Sequence, residues 1–181
     1  MAKLFIISTW FQVIWFAAVV GGENYQWLTI ACVVATYAIT LMKHYIPLEK
    51  VVLLSLLGIA VDYANIQFDL LRFEIPEFPL WLLALWFAFL WYAYYLMPFL
   101  TRYPVFPVSL LGGFAGMASY FAGNGLGAVT FPNSVSSTAI ILFVEWFVII
   151  FVICRVYRYA NSETMENKLL CSTDWNKRSK R

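Results

Sequence analysis

From Leu80 to Leu100 the chain reads LWLLALWFAFLWYAYYLMPFL without one charged side chain, and stretches of this kind recur along most of its length. So apolar a run is comfortable in a bilayer, where a spanning helix needs roughly 20 such residues and every backbone amide must bond within the segment. Six stretches qualify: Leu4–Val20, Trp27–Met42, Val51–Phe73, Leu80–Leu100, Pro107–Gly123 and Ser137–Val156. The second is the shortest. Composition argues against a globule surrounded by water, because 62% of residues are hydrophobic and 12% charged, with mean hydropathy +0.75. Soluble domains carry about 25% charged residues. The predicted fold is an all-α integral membrane protein, a compact bundle of six transmembrane helices.

Basic residues test that count independently. With a cytoplasmic N-terminus, Lys3, Lys43, Lys50, Arg102, Arg155, Arg158, Lys168, Lys177, Arg178, Lys180 and Arg181 fall inside, and Arg72 is the one of the 12 left outside. This is a strong positive-inside bias. Gaining or losing one helix would scramble it, so both termini are expected in the cytoplasm. Lys3 before an apolar run resembles a signal peptide, but Trp10, Gln12, Trp15 and the length of the run fit a retained helix better. Short connections make sequential helices antiparallel neighbours and give one transmembrane domain over 1–159. The polar basic tail, 160–181, lacks apolar periodicity and is expected to be disordered, its last basic residues loosely touching an anionic leaflet. Asn124–Ser136 reads either as an outer loop or as a segment dipping back into the bundle.

Two acids, Asp62 and Glu145, fall near the middle of apolar stretches. An ionisable group at membrane depth is costly, about 2.5–3.5 kcal/mol on insertion scales, and turns inward to be paired or functional. Ser55, Gly58, Asp62, Asn65, Asp69 and Arg72 recur at steps of three and four, a single helical stripe. The stripe serves either as hydrogen-bonding glue between helices, with Asp69 and Arg72 pairing near the outer surface, or as a ligand or proton pathway. Gln12, Asp62, Asn65, Asp69 and Glu145 form the candidate intramembrane polar cluster, with Gln12, Asp62, Asn65 and Glu145 converging on one layer. Two neighbouring acids in a low dielectric do not both ionise, so at least one should hold its proton.

Gly112, Gly116, Ser119 and Gly123, continued by Gly127, make a small-residue seam that allows close helix approach. Packing within the chain explains it better than a dimer interface. His44 is the sole histidine, and no histidine box, paired haem ligands or nucleotide fingerprint is present, so no cofactor or metal is expected. Cys32, Cys154 and Cys171 suggest no disulfide framework. Nothing in the charge pattern resembles a nucleic-acid binder. The aromatic residues, Trp27 and Trp81 near outer boundaries and Tyr94, Tyr95 and Tyr157 near inner ones, read as interfacial belts.

The segments FQVIWFAAVVGG (11–22), PLWLLALWFAFLW (79–91) and SYFAGNGLGA (119–128) resemble a family of small bacterial inner-membrane proteins catalogued as a domain of unknown function, family 2878. The likeness covers about residues 4–156. It carries no catalytic residues over. It implies a multi-pass inner-membrane location and, because members often neighbour genes for cyclopropane-fatty-acid-synthase-like and flavin-dependent lipid-modifying enzymes, a part in membrane-lipid metabolism. The expected function is a non-catalytic accessory that binds membrane lipid or presents it to lipid-modifying enzymes. The alternatives are a proton-coupled carrier using Asp62 and Glu145, and a membrane-embedded enzyme with those acids as acid–base groups.

Overall fold

The computed structural model describes residues 2–43, 46–75 and 77–178, with side chains described as far as Tyr159. His44, Pro76 and the side chains of the tail, including Cys171 and its basic residues, lie outside the described residues. Among the described residues six α-helices follow one another: α1 (Ala2–Gly21), α2 (Gln26–Lys43), α3 (Leu48–Gln67), α4 (Leu80–Leu100), α5 (Val105–Gly125) and α6 (Val135–Arg178). The backbone of α6 carries on as helix through the polar stretch that the sequence leaves without periodicity. Among the described residues there is no β-strand, and the one bridge pairs Arg72 with Thr130.

A single 3-10 turn, Gly22–Tyr25, joins α1 to α2 and makes 2–43 one helical run of 42 residues. Drawn straight, such a run would extend about 63 Å at 1.5 Å per residue. It doubles back instead. Gly22 takes a left-handed φ of 48° at the corner, and Trp10 Nε1 donates to Thr36 Oγ1 at 2.9 Å across the resulting hairpin. The hairpin is fastened to α4 by Tyr37, whose hydroxyl donates to the Phe87 carbonyl at 2.9 Å, and by Thr40, which accepts from Trp91 Nε1 at 3.0 Å. Four runs are long and apolar enough to cross a membrane: 2–43, 80–100, 105–125 and 135–159. The α3 helix, which includes Glu49, Lys50 and Asp62, is not among them.

That third helix also departs from the expected Val51–Phe73. It starts three residues earlier and stops at Gln67. Asp69 adopts the left-handed conformation, φ 58°. The Asp69 amide bonds to the Ile66 carbonyl at 3.1 Å, and the Leu70 amide to the Asn65 carbonyl at 2.8 Å. This pair of bonds is a Schellman stop, with aspartate in the position glycine usually takes, a conformation its short polar side chain tolerates. The chain bends at Leu70 and Leu71, and Arg72 then exchanges backbone hydrogen bonds with Thr130 at 3.0 and 2.8 Å. The lower stripe stays helical and buried at Ser55, Gly58, Asp62 and Asn65. Asp69 and Arg72 leave it.

The same device ends α5. Gly127, φ 82°, sends its amide to the Asn124 carbonyl at 3.0 Å while the Ala128 amide reaches Gly123 at 2.9 Å. The glycine-rich segment is thus a helix stop and a turn. Beyond it Val129 packs with Leu70, Leu71 and Leu142, so the 68–73 and 126–134 connections close one end of the bundle together.

Candidate functional site

Two glycines admit two indoles. A Cβ on Gly58 of α3 would lie 2.3 Å from the Trp86 ring of α4, and one on Gly116 of α5 would lie 2.0 Å from the Trp146 ring of α6. Both distances are far inside van der Waals contact, so any side chain at either position would push an indole out. Between the glycines the rings stack, centroids 5.3 Å apart and planes 10° off parallel. Gly112 makes similar room for Ile150, and a Cβ on Gly113, which lies outside the expected seam, would meet Phe143 at 3.0 Å. The seam thus packs α5 onto α6 within the chain at Gly112 and Gly116. Ser119 turns toward α1 and accepts from Trp15 Nε1 at 2.9 Å, while Gly123 faces Val129.

An indole N–H buried in such a stack needs an acceptor. Asp62 supplies it. Trp86 Nε1 donates to Asp62 Oδ2 at 2.6 Å, and the Tyr120 hydroxyl of α5 donates to Oδ1 at 2.5 Å. Only 2% of Asp62 is exposed, so the carboxyl meets protein donors rather than solvent. One turn along α3, Asn65 Nδ2 donates to Glu145 Oε2 at 2.8 Å. Asn65 and Glu145 are thus bonded to each other one turn from Asp62, and neither Gln12 nor Asp69 joins them. Asp69 pairs with Arg72 at 2.9 Å, both side chains 62% exposed, and an ion pair so open to solvent contributes at most about 1 kcal/mol. Because α3 ends at Gln67, Asp62 lies five residues from its end, about 7.5 Å along the axis, rather than at the midpoint.

Gln12 occupies the other side of the Trp86–Tyr120 wall, in a cavity of about 900 Å³. Its floor is α4, which lines it from Trp81 to Leu100, about 28 Å of helix. Along one side run Phe11, Gln12, Trp15 and Val19 of α1; along the other run Leu111, Ala115, Ser119 and Ala122 of α5, with Trp146 and Ile150 of α6 behind them. Among the described residues, no Asp, Glu, Lys, Arg or His lines it. Trp81 is 5% exposed and packs edge-on against Phe73, so its ring is covered by protein. A second hollow, about 510 Å³, lies between α2, α3 and α4 and is lined by aliphatic and aromatic side chains. Among the described residues no three of His, Cys, Asp and Glu gather to hold a metal.

Trp86, Tyr120 and Trp146 were not legible as site residues, although the polar tip that each buried Trp or Tyr must satisfy is a usable signal. The geometry assigns Asp62 the role of acceptor for two donors. Asp62→Leu strands both, at about 1–3 kcal/mol for each unpaired group, and should lower the melting temperature in detergent and red-shift tryptophan emission. Asp62→Asn keeps one acceptor for Trp86 and offers its amide to the Tyr120 oxygen, so it should melt close to wild type. Equal loss in both variants would contradict this assignment.

No curated protein and no solved structure matches this chain. A family model, described as a protein of unknown function (DUF2878), matches residues 4–152, a span that takes in α1 to α5 and most of the apolar part of α6. It therefore contains the stacked indoles, Asp62, Glu145 and the whole cavity wall, and the chain belongs to the DUF2878 family.

Proposed function

We propose that this protein is a six-span inner-membrane protein that takes a lipid-like molecule from the bilayer into the cavity between α1, α4, α5 and α6. The observation that carries this reading is the cavity itself. Ligand sites commonly measure about 300–1,000 Å³ with apolar linings and few polar groups, and this one, at about 900 Å³, has no charged residue on its wall. The length of its α4 floor is close to the roughly 30 Å hydrocarbon thickness of a bilayer. A role as a non-catalytic accessory of membrane-lipid modification agrees with it. Both Asp62 oxygens are already occupied by Trp86 and Tyr120, which favours binding over a carrier or an acid–base enzyme built on that carboxyl.

The hairpin supports the span count. With 20, 18 and 20 residues, α1, α2 and α3 are each about 27–30 Å long, enough to cross singly, and Glu49 and Lys50 stand at the α3 start where headgroups would meet them. Reporter fusions after Lys50, Glu77, Arg102, Asn133 and Arg181 should read inside, outside, inside, outside, inside. An outside signal at Arg181 removes the six-span arrangement.

Binding is tested by native mass spectrometry of protein extracted in mild detergent. Wild type should retain lipid adducts, and Ala115→Trp with Ala122→Trp, which fill the cavity from α5, should cut their intensity at least tenfold while the protein stays folded. Adducts of unchanged mass and intensity in the filled variant would refute the reading.

A further inference from the structure

The wall of the cavity also limits what sits inside it. Its hydroxyl groups are largely committed: Tyr92 accepts from Ser8 at 3.2 Å, Ser119 accepts from Trp15, and Tyr120 donates to Asp62. Tyr103 stands at the exposed rim, where its carbonyl holds Arg158. Gln12 differs. It lines the cavity, is exposed, and makes no side-chain hydrogen bond among the described residues. It sits near the middle of α1, between Ser8, which is bonded to α4, and Trp15, which is bonded to α5, so the backbone beneath it is held on both sides. To one side of it the lining is Trp15, Val19, Phe73 and Trp81; to the other, Leu96, Met97, Leu100 and Leu111.

An amide left without a partner in apolar surroundings costs free energy that a ligand's polar atom recovers. The absence of any lining cation disfavours a phosphate or carboxylate within the cavity, because an unpaired charge there is far costlier than a neutral dipole. The geometry points to an electrically neutral, long-chain ligand with an internal oxygen function, an ester, ketone or hydroxyl flanked by apolar chain on both sides, held by the Gln12 amide. This rests on the cavity being the lipid site. It adds the chemical class of the ligand and the residue that selects it. The Gln12 amide donates through its Nε2 hydrogens to a carbonyl, or accepts from a hydroxyl through Oε1.

Quenching of tryptophan emission measures it, since Trp15, Trp86 and Trp146 all line the cavity. The probes are brominated in the chain: a fatty-acyl ester of a long-chain alcohol, a hydrocarbon of matching length, and phosphatidylglycerol, each titrated into full-length protein in detergent. Wild type should bind the ester about tenfold more tightly than the hydrocarbon, and a factor of ten is 1.4 kcal/mol. Gln12→Leu and the more nearly isosteric Gln12→Met should both lose that preference, binding the ester less tightly than wild type and the hydrocarbon at least as tightly. If wild type shows no preference for the ester, if both variants keep it, or if phosphatidylglycerol binds most tightly, the assignment of ligand class is overturned while lipid binding stands. If none of the three probes quenches wild type, the cavity is not a lipid site and the proposed function falls with it.

Discussion

A buried indole has a flat face that demands close packing and an N–H that demands an acceptor, and the centre of this bundle is arranged around both needs. Gly58 and Gly116 let the Trp86–Trp146 stack lie directly against the backbones of α3 and α5. Asp62 takes the Trp86 N–H and, with its second oxygen, the Tyr120 hydroxyl. One carboxyl thereby links α3 to α4 and α5, while the stack links α4 to α6. Where water is excluded no solvent can substitute for these partners, so the acid is explained by the donors it satisfies before any chemistry is asked of it.

That arrangement also explains why a cavity forms beside it. The bulky face of α4 that carries Trp86 is consumed by α3 and α6, and α5 is drawn onto α6 through its glycines. The α1–α2 hairpin is fastened to another face of α4 through Tyr37, Thr40 and the Ser8–Tyr92 bond. The two groups flank α4 from different sides, and Trp15 bridges them to Ser119. Large rings below and small residues on α5 leave a trough between them. Trp86 and Tyr120 form part of its wall, so the polar network and the cavity share residues.

Much of this was legible in the sequence, and the failures have physical causes. Apolar run length located every helix, and Leu80–Leu100 has the same bounds in both readings, because Pro79 and the polar turn after Leu100 bracket it. The end of α3 was missed because its stop uses Asp69 where glycine is the usual signal. That error carried Asp69 and Arg72 onto a stripe they do not belong to and put Asp62 at mid-helix. Depth alone grouped Gln12 with Asp62, but depth does not say which neighbour a helix face meets, and the Trp86–Tyr120 wall stands between them. The partners of Asp62 were hidden for another reason. In a segment such as WLLALWFAFLWYAYY, hydrophobic on every face, periodicity distinguishes no residue as inward, and Trp86 looks like its neighbours.

In this fold α1 and α5 flank a trough about 28 Å long over α4, part of whose wall is the Asp62-anchored Trp86 indole. An electron cryomicroscopy map of the full-length protein in lipid nanodiscs tests it most directly. Elongated non-protein density is expected along α4 between Trp81 and Leu100, passing Gln12 and touching Trp86. A map in which α1 packs directly against α5, closing the space with no density between them, would contradict it.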